Sequence, residues 1–211
     1  MLPASIAEYL DRNHARYSVM SHPTAFTALD EAAAAHVPGH EWAKAVVCFA
    51  DDQPILAVVP APCAVDLTRL QHTARANSLR LAKEAEFARL YRDCEPGAMP
   101  PFGPLFGQRV YVDKQLTADP QVVFSGGSHH DAIRMPYGEF ERLAQPVVAE
   151  FASGPAVSSR ATMLTDPVCG AIFEEFQAAG RSDLRGETYY FCSQSCKMEF
   201  DDNPDGYLQP R

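Results

Sequence analysis

Three cysteines close to the C-terminus have the spacing of a metal site. Cys192 and Cys196 are four residues apart at the start of a predicted helix, so their thiols lie on one face. Cys169 lies upstream in the turn DPVCG and can supply a third thiolate. A segment as short as residues 164–211 usually needs a metal ion or a disulfide for stability. The pattern therefore predicts a thiolate site for Zn²⁺ or Cu⁺.

The sequence does not identify the fourth ligand of such a site. A closed zinc site takes four ligands, and no histidine follows His130 in the sequence. The candidates are Asp166, Glu174, water and a residue of a partner protein. The alternative interpretation is a redox-labile thiol cluster that holds no metal.

A lysine stands among apolar residues in a predicted strand near the middle of the chain. Alternation places Lys44 on the same strand face as Trp42, Val46 and Cys48. A lysine in such surroundings needs an anionic partner or a position near the strand end. The sequence therefore leaves two interpretations of Lys44, a ligand-binding residue and a snorkelling side chain.

Two loops could present backbone amides to a ligand. Gly126 and Gly127 stand before Ser128 and His129, and consecutive glycines can form an anion-binding nest or an oxyanion hole. The second loop, residues 95–107, is rich in proline and glycine and should be rigid. Both could equally be ordinary connections. Ser128 is not expected to be a nucleophile, because it and His129 would point to opposite faces of a strand.

The helices and strands that must position these residues do not follow the regular β-α-β order of a doubly wound fold. Helices are predicted at 5–13, 27–36, 66–73, 82–92 and 137–144, and strands at 16–21, 42–50, 54–59, 108–112, 121–124 and 131–135. This order predicts an α+β domain with a curved, partly antiparallel sheet.

Composition limits the classes of function. The 211 residues carry a net charge of −9, so nucleic acid could be held only by a local basic patch, and DNA is not an expected partner. A candidate patch lies at residues 69–92, although a solvated helix face explains it equally well. No apolar run reaches the roughly 20 residues of a membrane helix, and the first residues lack signal-peptide character. We therefore expect a cytoplasmic protein that does not bind membranes.

The first part of the chain resembles the YbaK family, which is related to the editing insertion of prolyl-tRNA synthetase. The similarity covers about residues 3–148 and rests on five stretches in the family order: HPTA at 22–25, WAK at 42–44, DCEPGAMPPFG at 93–103, VYVD at 110–113 and GGSH at 126–129. It implies a curved mixed sheet and, without any cofactor, hydrolysis of a mischarged amino acid from the 3′ end of tRNA. Mischarged tRNA is then the expected partner, and an aminoacyl-tRNA synthetase a second one.

The same resemblance implies roles for individual residues. Lys44 would hold the 3′-terminal adenosine or its phosphate. The aminoacyl pocket would be shaped by the catalytic loop Gly126, Gly127 and Ser128, and by the substrate-binding residues His22, Pro101, Phe102, Gly103 and His129. An activated ester needs little more than polarising amides and a positioned water. A small amino acid on a tRNA(Pro)-type substrate is favoured, but His130 departs from the family pattern and leaves the amino acid open.

The C-terminal segment resembles the YHS domain, a treble-clef-like metal module. The matching stretches are DPVCG at 166–170, YYFCS at 189–193, Cys196, Phe200 and NP at 203–204. The predicted organisation is an editing domain at 1–152, a linker at 153–163 and a YHS domain at 164–211. The alternative function is a non-catalytic protein that binds an aminoacyl-nucleotide or a related small ligand and uses the YHS domain to sense or carry metal.

Overall fold

The computed structural model describes residues 2–154, 163–174 and 178–208. Most of the predicted linker lies outside these residues. The helices are α1 (Ala4–Arg12), α2 (Ala28–Ala34), α3 (Leu67–Ala74), α4 (Glu84–Leu90), α5 (Tyr137–Ala144) and α6 (Gln194–Asp202). The strands are β1 (Ser18–Ser21), β2 (Ala43–Ala50), β3 (Gln53–Pro60), β4 (Ala64–Val65), β5 (Leu79–Leu81), β6 (Arg109–Asp113), β7 (Gln121–Ser128), β8 (Asp131–Pro136), β9 (Val147–Ala149), β10 (Ala152–Ser153), β11 (Met163–Thr165), β12 (Ile172–Glu174), β13 (Gly180–Leu184) and β14 (Glu187–Phe191).

A five-stranded mixed sheet forms the centre of the N-terminal part, in the order β5-β2-β3-β6-β9. The β2–β3 hairpin is antiparallel, whereas β6 runs parallel to both β3 and β9. Asp51 and Asp52 both have positive φ at the hairpin turn, as a two-residue turn of this kind requires. The strands predicted at 42–50 and 54–59 are therefore confirmed, and they form a hairpin.

A second sheet has the order β1-β8-β7 and joins the first through one parallel bridge between Trp42 and Val123. The two sheets curve around a core that includes Leu10 of α1 and Phe140 of α5. Phe102 packs edge-on against Phe124, with ring centroids 5.3 Å apart. This arrangement confirms the predicted α+β class with a curved mixed sheet.

Strand β7 runs further than the sequence predicts. It continues through Gly126 and Gly127 to Ser128, with a register shift between Ser125 and Ser128, and the turn follows at residues 129–130. The short strands β4, β5, β9 and β10 are also absent from the prediction. Each has two or three residues, too few to show alternation.

A buried aspartate ties the end of this part to the central sheet. Asp113 is 2% exposed, and its carboxylate accepts hydrogen bonds from the amides of Phe151 and Ala152, each at 2.7 Å. It also caps the turn that follows β6, through the amide of Gln115 at 3.0 Å. Asp113 therefore fixes the position of the segment that leads to the C-terminal part.

The C-terminal part has its own small core. Hairpins β11–β12 and β13–β14 precede α6, and Phe191, Cys192, Cys196 and Phe200 are buried between them. Ser193 begins α6, because its hydroxyl accepts a hydrogen bond from the amide of Cys196 at 3.2 Å. In the part of the chain that is described, no helix combines the length and apolarity that crossing a membrane requires.

The close packing around Gly103 predicts that a side chain at this position would destabilise the fold. A methyl group there would lie 2.4 Å from the carbonyl oxygen of Gln108 and 2.4 Å from Val110 Cγ2. We expect Gly103→Ala to destabilise the protein by about 1–3 kcal/mol, the usual cost of overpacking. Thermal or denaturant unfolding measures the change. The control is Gly138→Ala in α5, where a methyl group meets nothing within 4 Å and should be neutral or stabilising. Equal stability of the two variants would contradict this expectation.

Candidate active site and metal centre

A large cavity opens between α2, the start of β2, α4 and the Pro/Gly-rich loop. Its volume is about 710 Å³, within the range of small-molecule sites. Its wall includes Lys44 and Glu31, and its rim carries Phe26, which is 75% exposed. An exposed aromatic ring at the mouth of a cavity is suited to stacking against a flat ligand.

Lys44 lies at the cavity wall and is held by the backbone. Its Nζ donates to the carbonyl oxygens of Ala61 at 3.1 Å and Cys63 at 2.5 Å. Burial lowers the pKa of Lys44, although its interaction with Cys63 opposes that shift. Carbonyl oxygens position the ammonium group without neutralising it, so the group can still hold an anionic ligand.

Glu31 is the centre of a polar cluster at the same cavity. One carboxylate oxygen accepts a hydrogen bond from Ser125 Oγ at 2.6 Å, and the other lies 3.2 Å from His129 Nδ1. Burial raises the pKa of Glu31, and the contacts with Ser125 and His129 only partly offset that effect. This environment therefore favours the protonated form of Glu31 relative to an exposed glutamate.

The contacts of His129 require a proton inside this cluster. Its Nε2 lies 2.9 Å from the carbonyl oxygen of Pro96, which can only accept, so Nε2 carries hydrogen. In a neutral ring Nδ1 would then be an acceptor facing a carboxylate oxygen. The 3.2 Å contact is therefore attractive only when either Nδ1 or Glu31 is protonated. This cluster is not a catalytic triad, because the carboxylate stands between the serine and the histidine.

Gly126 and Gly127 face the N-terminal segment. A methyl group at Gly126 would lie 2.6 Å from Leu2 Cδ2, and one at Gly127 would lie 2.6 Å from Pro3 Cγ. Ser128 Oγ donates to Asp131 at 3.2 Å. Among the described residues, Ser125 of this stretch lines the cavity, and these three do not.

The other predicted substrate-binding residues surround the cavity at different depths. Phe102 and Gly103 are buried, and Pro101 lies beside them. His22 packs edge-on against Trp42, a cavity residue, with ring centroids 5.9 Å apart. Over the described part of the chain, its buried Nε2 has no hydrogen-bond partner. The structure therefore brings Lys44 to the cavity, places His129 one contact away through Glu31, and keeps the remaining predicted residues behind its wall.

The predicted metal-binding cysteines converge. Cys192 Sγ lies 3.5 Å from Cys169 Sγ and 3.9 Å from Cys196 Sγ. Together with a carboxylate oxygen of Asp166, these atoms all lie within 4.8 Å of one another. Burial raises the pKa of Cys192, and it raises that of Cys196 to about 11, so binding of an ion would displace protons. The donor set fits a thiophilic metal such as Zn²⁺ or Cu⁺.

Asp166 is fully buried and organises the turn that carries Cys169. Its carboxylate accepts hydrogen bonds from the amides of Val168 at 2.8 Å, Cys169 at 3.3 Å and Cys192 at 2.8 Å. Burial alone would raise the pKa of Asp166, but these amides outweigh it and the pKa is lowered. Both oxygens therefore already have partners.

Comparison with known families decides the classification. The sequence profile described as the aminoacyl-tRNA editing domain matches residues 22–143, and the YHS domain profile matches residues 164–211. The chain belongs to the aminoacyl-tRNA editing domain family. The C-terminal match agrees with the cysteine cluster, so the editing-domain chain carries a YHS module after it.

Solved structures share the editing-domain fold. One, described as a candidate trans-editing enzyme for prolyl-tRNA synthetase, has a TM-score of 0.63 and 24% identity, and the match covers 73% of this chain and all of that one. The hypothetical protein APE2540 has a TM-score of 0.64 and 18% identity, over 71% and 99% of the two chains. A candidate signal transduction protein from Marinobacter aquaeolei VT8 has a TM-score of 0.59 and 20% identity, over 77% and 33%. No curated protein matches the chain.

Two cavity residues of this editing domain were missed at the sequence level. Glu31 stands in an alanine-rich predicted helix, where a solvent-facing glutamate is the ordinary expectation. Ser125 precedes the glycines and looks like part of the strand. The available signal was Asp30 and Glu31 in the first turn after Thr27, but that pattern is explained by helix capping alone.

The raised pKa of Glu31 predicts a pH-dependent stability. The folded state keeps a proton that the unfolded state releases above about pH 4.3, so wild-type stability contributed by Glu31 is lost as the pH rises through its folded pKa. The amide side chain of the Glu31→Gln variant cannot titrate. We therefore expect wild type to lose stability relative to this variant as the pH rises, by at most about 1.4 kcal/mol per pH unit.

Denaturant unfolding from pH 4 to pH 8 would measure this difference. Glu150→Gln is a control of opposite sign, because its hydrogen bond with Lys114 lowers the pKa of Glu150. Wild type should gain stability relative to that variant as the pH rises. A wild-type minus Glu31→Gln difference that is independent of pH would refute a protonated Glu31.

Proposed function

We propose that this chain is a trans-editing aminoacyl-tRNA deacylase that hydrolyses the ester of a mischarged tRNA. One observation carries the proposal: a cationic side chain, Lys44, and a buried carboxyl group, Glu31, line the same cavity. An aminoacyl ester has a phosphate on one side of the reacting carbonyl and an α-ammonium group on the other. Lys44 is complementary to the phosphate, and the oxygen atoms of Glu31 and Ser125 are hydrogen-bond acceptors for the ammonium group.

The 3′-terminal adenosine fits the Lys44 side of the cavity. The ammonium group of Lys44 would hold the phosphate or a ribose oxygen, and Phe26 at the rim offers a face for the adenine ring. Base stacking on an aromatic ring contributes about 1–3 kcal/mol and does not depend on tRNA sequence. This arrangement would let a small protein recognise the acceptor end alone.

The aminoacyl group would then lie toward Glu31 and Ser125. Because Ser125 Oγ donates its hydrogen to Glu31, its lone pairs remain able to accept a hydrogen bond from the α-ammonium group or from water. A water molecule adds to the ester carbonyl carbon, the bond to the ribose oxygen breaks, and that oxygen leaves with a proton. The Glu31–His129 cluster holds a proton at the cavity wall and could take part in this transfer.

The site residues predicted from the resemblance remain part of this proposal, with different tasks. Lys44 binds substrate. Gly126, Gly127 and Ser128 support the wall from behind, together with Pro101, Phe102 and Gly103. His22 acts through Trp42, and His129 through Glu31. The favoured substrate is a small amino acid on a tRNA(Pro)-type molecule, with a synthetase as second partner.

A binding protein without catalysis is the second candidate. Two of the arginines at residues 69–92 are paired with carboxylates, Arg80 with Glu86 at 2.8 Å and Arg69 with Asp66 at 3.4 Å. Those pairs reduce the positive charge available for the tRNA body and favour a smaller ligand, such as an aminoacyl-nucleotide. Turnover distinguishes the two candidates.

Replacing Lys44 tests the deacylase proposal. Lys44→Met keeps the length of the side chain and removes a charge-assisted contact of about 1.5–3 kcal/mol, so kcat/KM should fall about 10- to 100-fold. The assay is deacylation of a panel of mischarged tRNAs that begins with Ala-tRNA(Pro) and Cys-tRNA(Pro). The matched control is Lys114→Met, an exposed lysine paired with Glu150, which should act like wild type. No turnover of any substrate by wild type would reject the enzyme and favour the binding protein.

A further inference from the structure

A histidine of the editing domain reaches the cysteine cluster of the YHS module. His36 Nδ1 lies 3.5 Å from Cys169 Sγ and 3.7 Å from Cys192 Sγ. His36 is far from the cysteines in sequence and precedes the strand that carries Lys44. The sequence pattern alone offered no reason to connect it with the metal site.

Four distances between the sulfur and nitrogen atoms agree with those of a tetrahedral site that has three sulfur ligands and one nitrogen. Metal–sulfur and metal–nitrogen bonds of about 2.3 Å and 2.0 Å give edges of about 3.8 Å between sulfurs and about 3.5 Å from sulfur to nitrogen. The two sulfur–sulfur distances, 3.5 Å and 3.9 Å, fall on either side of the first value. The two distances from His36 agree with the second.

The backbone at His36 is unusual for the residue type. His36 follows the end of α2 with a φ of 54°, in the left-handed region where glycine is preferred. Hydrogen bonds from Val37 to Ala32 and from His36 to Ala33 close the helix end in a Schellman motif. A side chain in this conformation costs about 1 kcal/mol or more relative to glycine, which is consistent with a use for the imidazole ring.

The other candidates for the fourth ligand are less suited. The carboxylate of Asp166 already accepts three backbone amides, and moving it to a metal would release the turn of Cys169. The side chain of Glu174 lies outside those that the structure describes. A neutral imidazole with three thiolates also leaves one negative charge on a Zn²⁺ site, whereas a carboxylate would leave two.

We propose that His36 is the fourth ligand of a Zn²⁺ ion held by Cys169, Cys192 and Cys196, and that this ion joins the YHS module to α2 of the editing domain. An apolar contact surrounds the junction, where Leu29 and Ala33 of α2 lie opposite Ala171 and Ile172. The same helix presents Leu29 and Glu31 to the active-site cavity. The ion therefore fixes one wall of that cavity, and this role does not depend on which ester the enzyme hydrolyses.

Metal binding to the full chain tests this proposal without an activity assay. In wild type, Zn²⁺ K-edge absorption should show three sulfurs and one nitrogen with imidazole scattering, and Co²⁺ should give a tetrahedral thiolate spectrum. His36→Asn keeps a residue that tolerates the left-handed backbone. It should lose the imidazole scattering and weaken Zn²⁺ binding in a chelator competition at least about tenfold, since even outer-shell changes cost 10- to 100-fold.

Two further variants make the result decisive. His14→Asn is the matched control, because His14 is exposed with a φ of 49° near the end of α1, and it should bind Zn²⁺ like wild type. His36→Cys should restore affinity and shift the Co²⁺ spectrum to that of a four-thiolate site, even if the asparagine variant folds poorly. Unchanged affinity and imidazole scattering in His36→Asn, or a His36→Cys spectrum without a fourth sulfur, would overturn the proposal. A wild-type chain that binds neither ion would overturn it as well.

Discussion

The register of the β2–β3 hairpin determines which side chains line the cavity at Lys44. Eight consecutive pairs, from Ala43 opposite Pro60 to Ala50 opposite Gln53, hold the two strands in one alignment. Because side chains alternate across a strand, a slip of one residue would turn Lys44 toward the core that Ala45 and Val47 now contact, and would turn those two residues to the opposite face. The tight turn at Asp51 and Asp52 fixes the alignment locally, and burial on both sides of the sheet prevents the alternative. The ammonium group of Lys44 and the carbonyls that hold it are therefore a consequence of strand pairing.

The second constraint is that one short helix serves two sites. Helix α2 has seven residues, so a helix of this length has little stability of its own in water. Thr27 caps its first turn, Glu31 anchors its middle to Ser125, and the Schellman motif closes its end at His36. A helix held at three points is a rigid connection between the carboxyl group in the cavity and the imidazole at the cysteine cluster. Its polar contacts substitute for the apolar area that so short a helix cannot bury.

The parts of this molecule that depend on local pattern could be predicted from the sequence. The β2–β3 hairpin, helix α5 and the convergence of Cys169, Cys192 and Cys196 follow from alternation, helical periodicity and cysteine spacing. Contacts between residues that are far apart in the sequence could not be predicted in this way. Ser125 and Glu31 are 94 positions apart, and His36 meets Cys169 across 133 positions. The sequence also predicts that Gly126 and Gly127 form a loop that presents amides to a ligand, whereas they lie in β7, where Leu2 and Pro3 occupy the space that a side chain would fill. Such requirements come from packing between elements and leave no periodic trace in either segment.

The negative net charge of the chain affects how strongly it could bind a polyanion such as tRNA. The net charge is −9, and Arg69 and Arg80 are engaged by carboxylates, so less positive charge is available to release counterions from a tRNA body. In the proposed function, affinity would therefore come mainly from the acceptor end, through one or two phosphates, the stacked adenine and the aminoacyl group inside the cavity. A protein of this kind would release tRNA quickly after hydrolysis, because the ester that it recognised is gone. It would also bind correctly charged tRNA only as strongly as its cavity accepts the amino acid. Selectivity in the proposed reaction therefore depends on the cavity walls, among them the one that α2 shares with the metal centre.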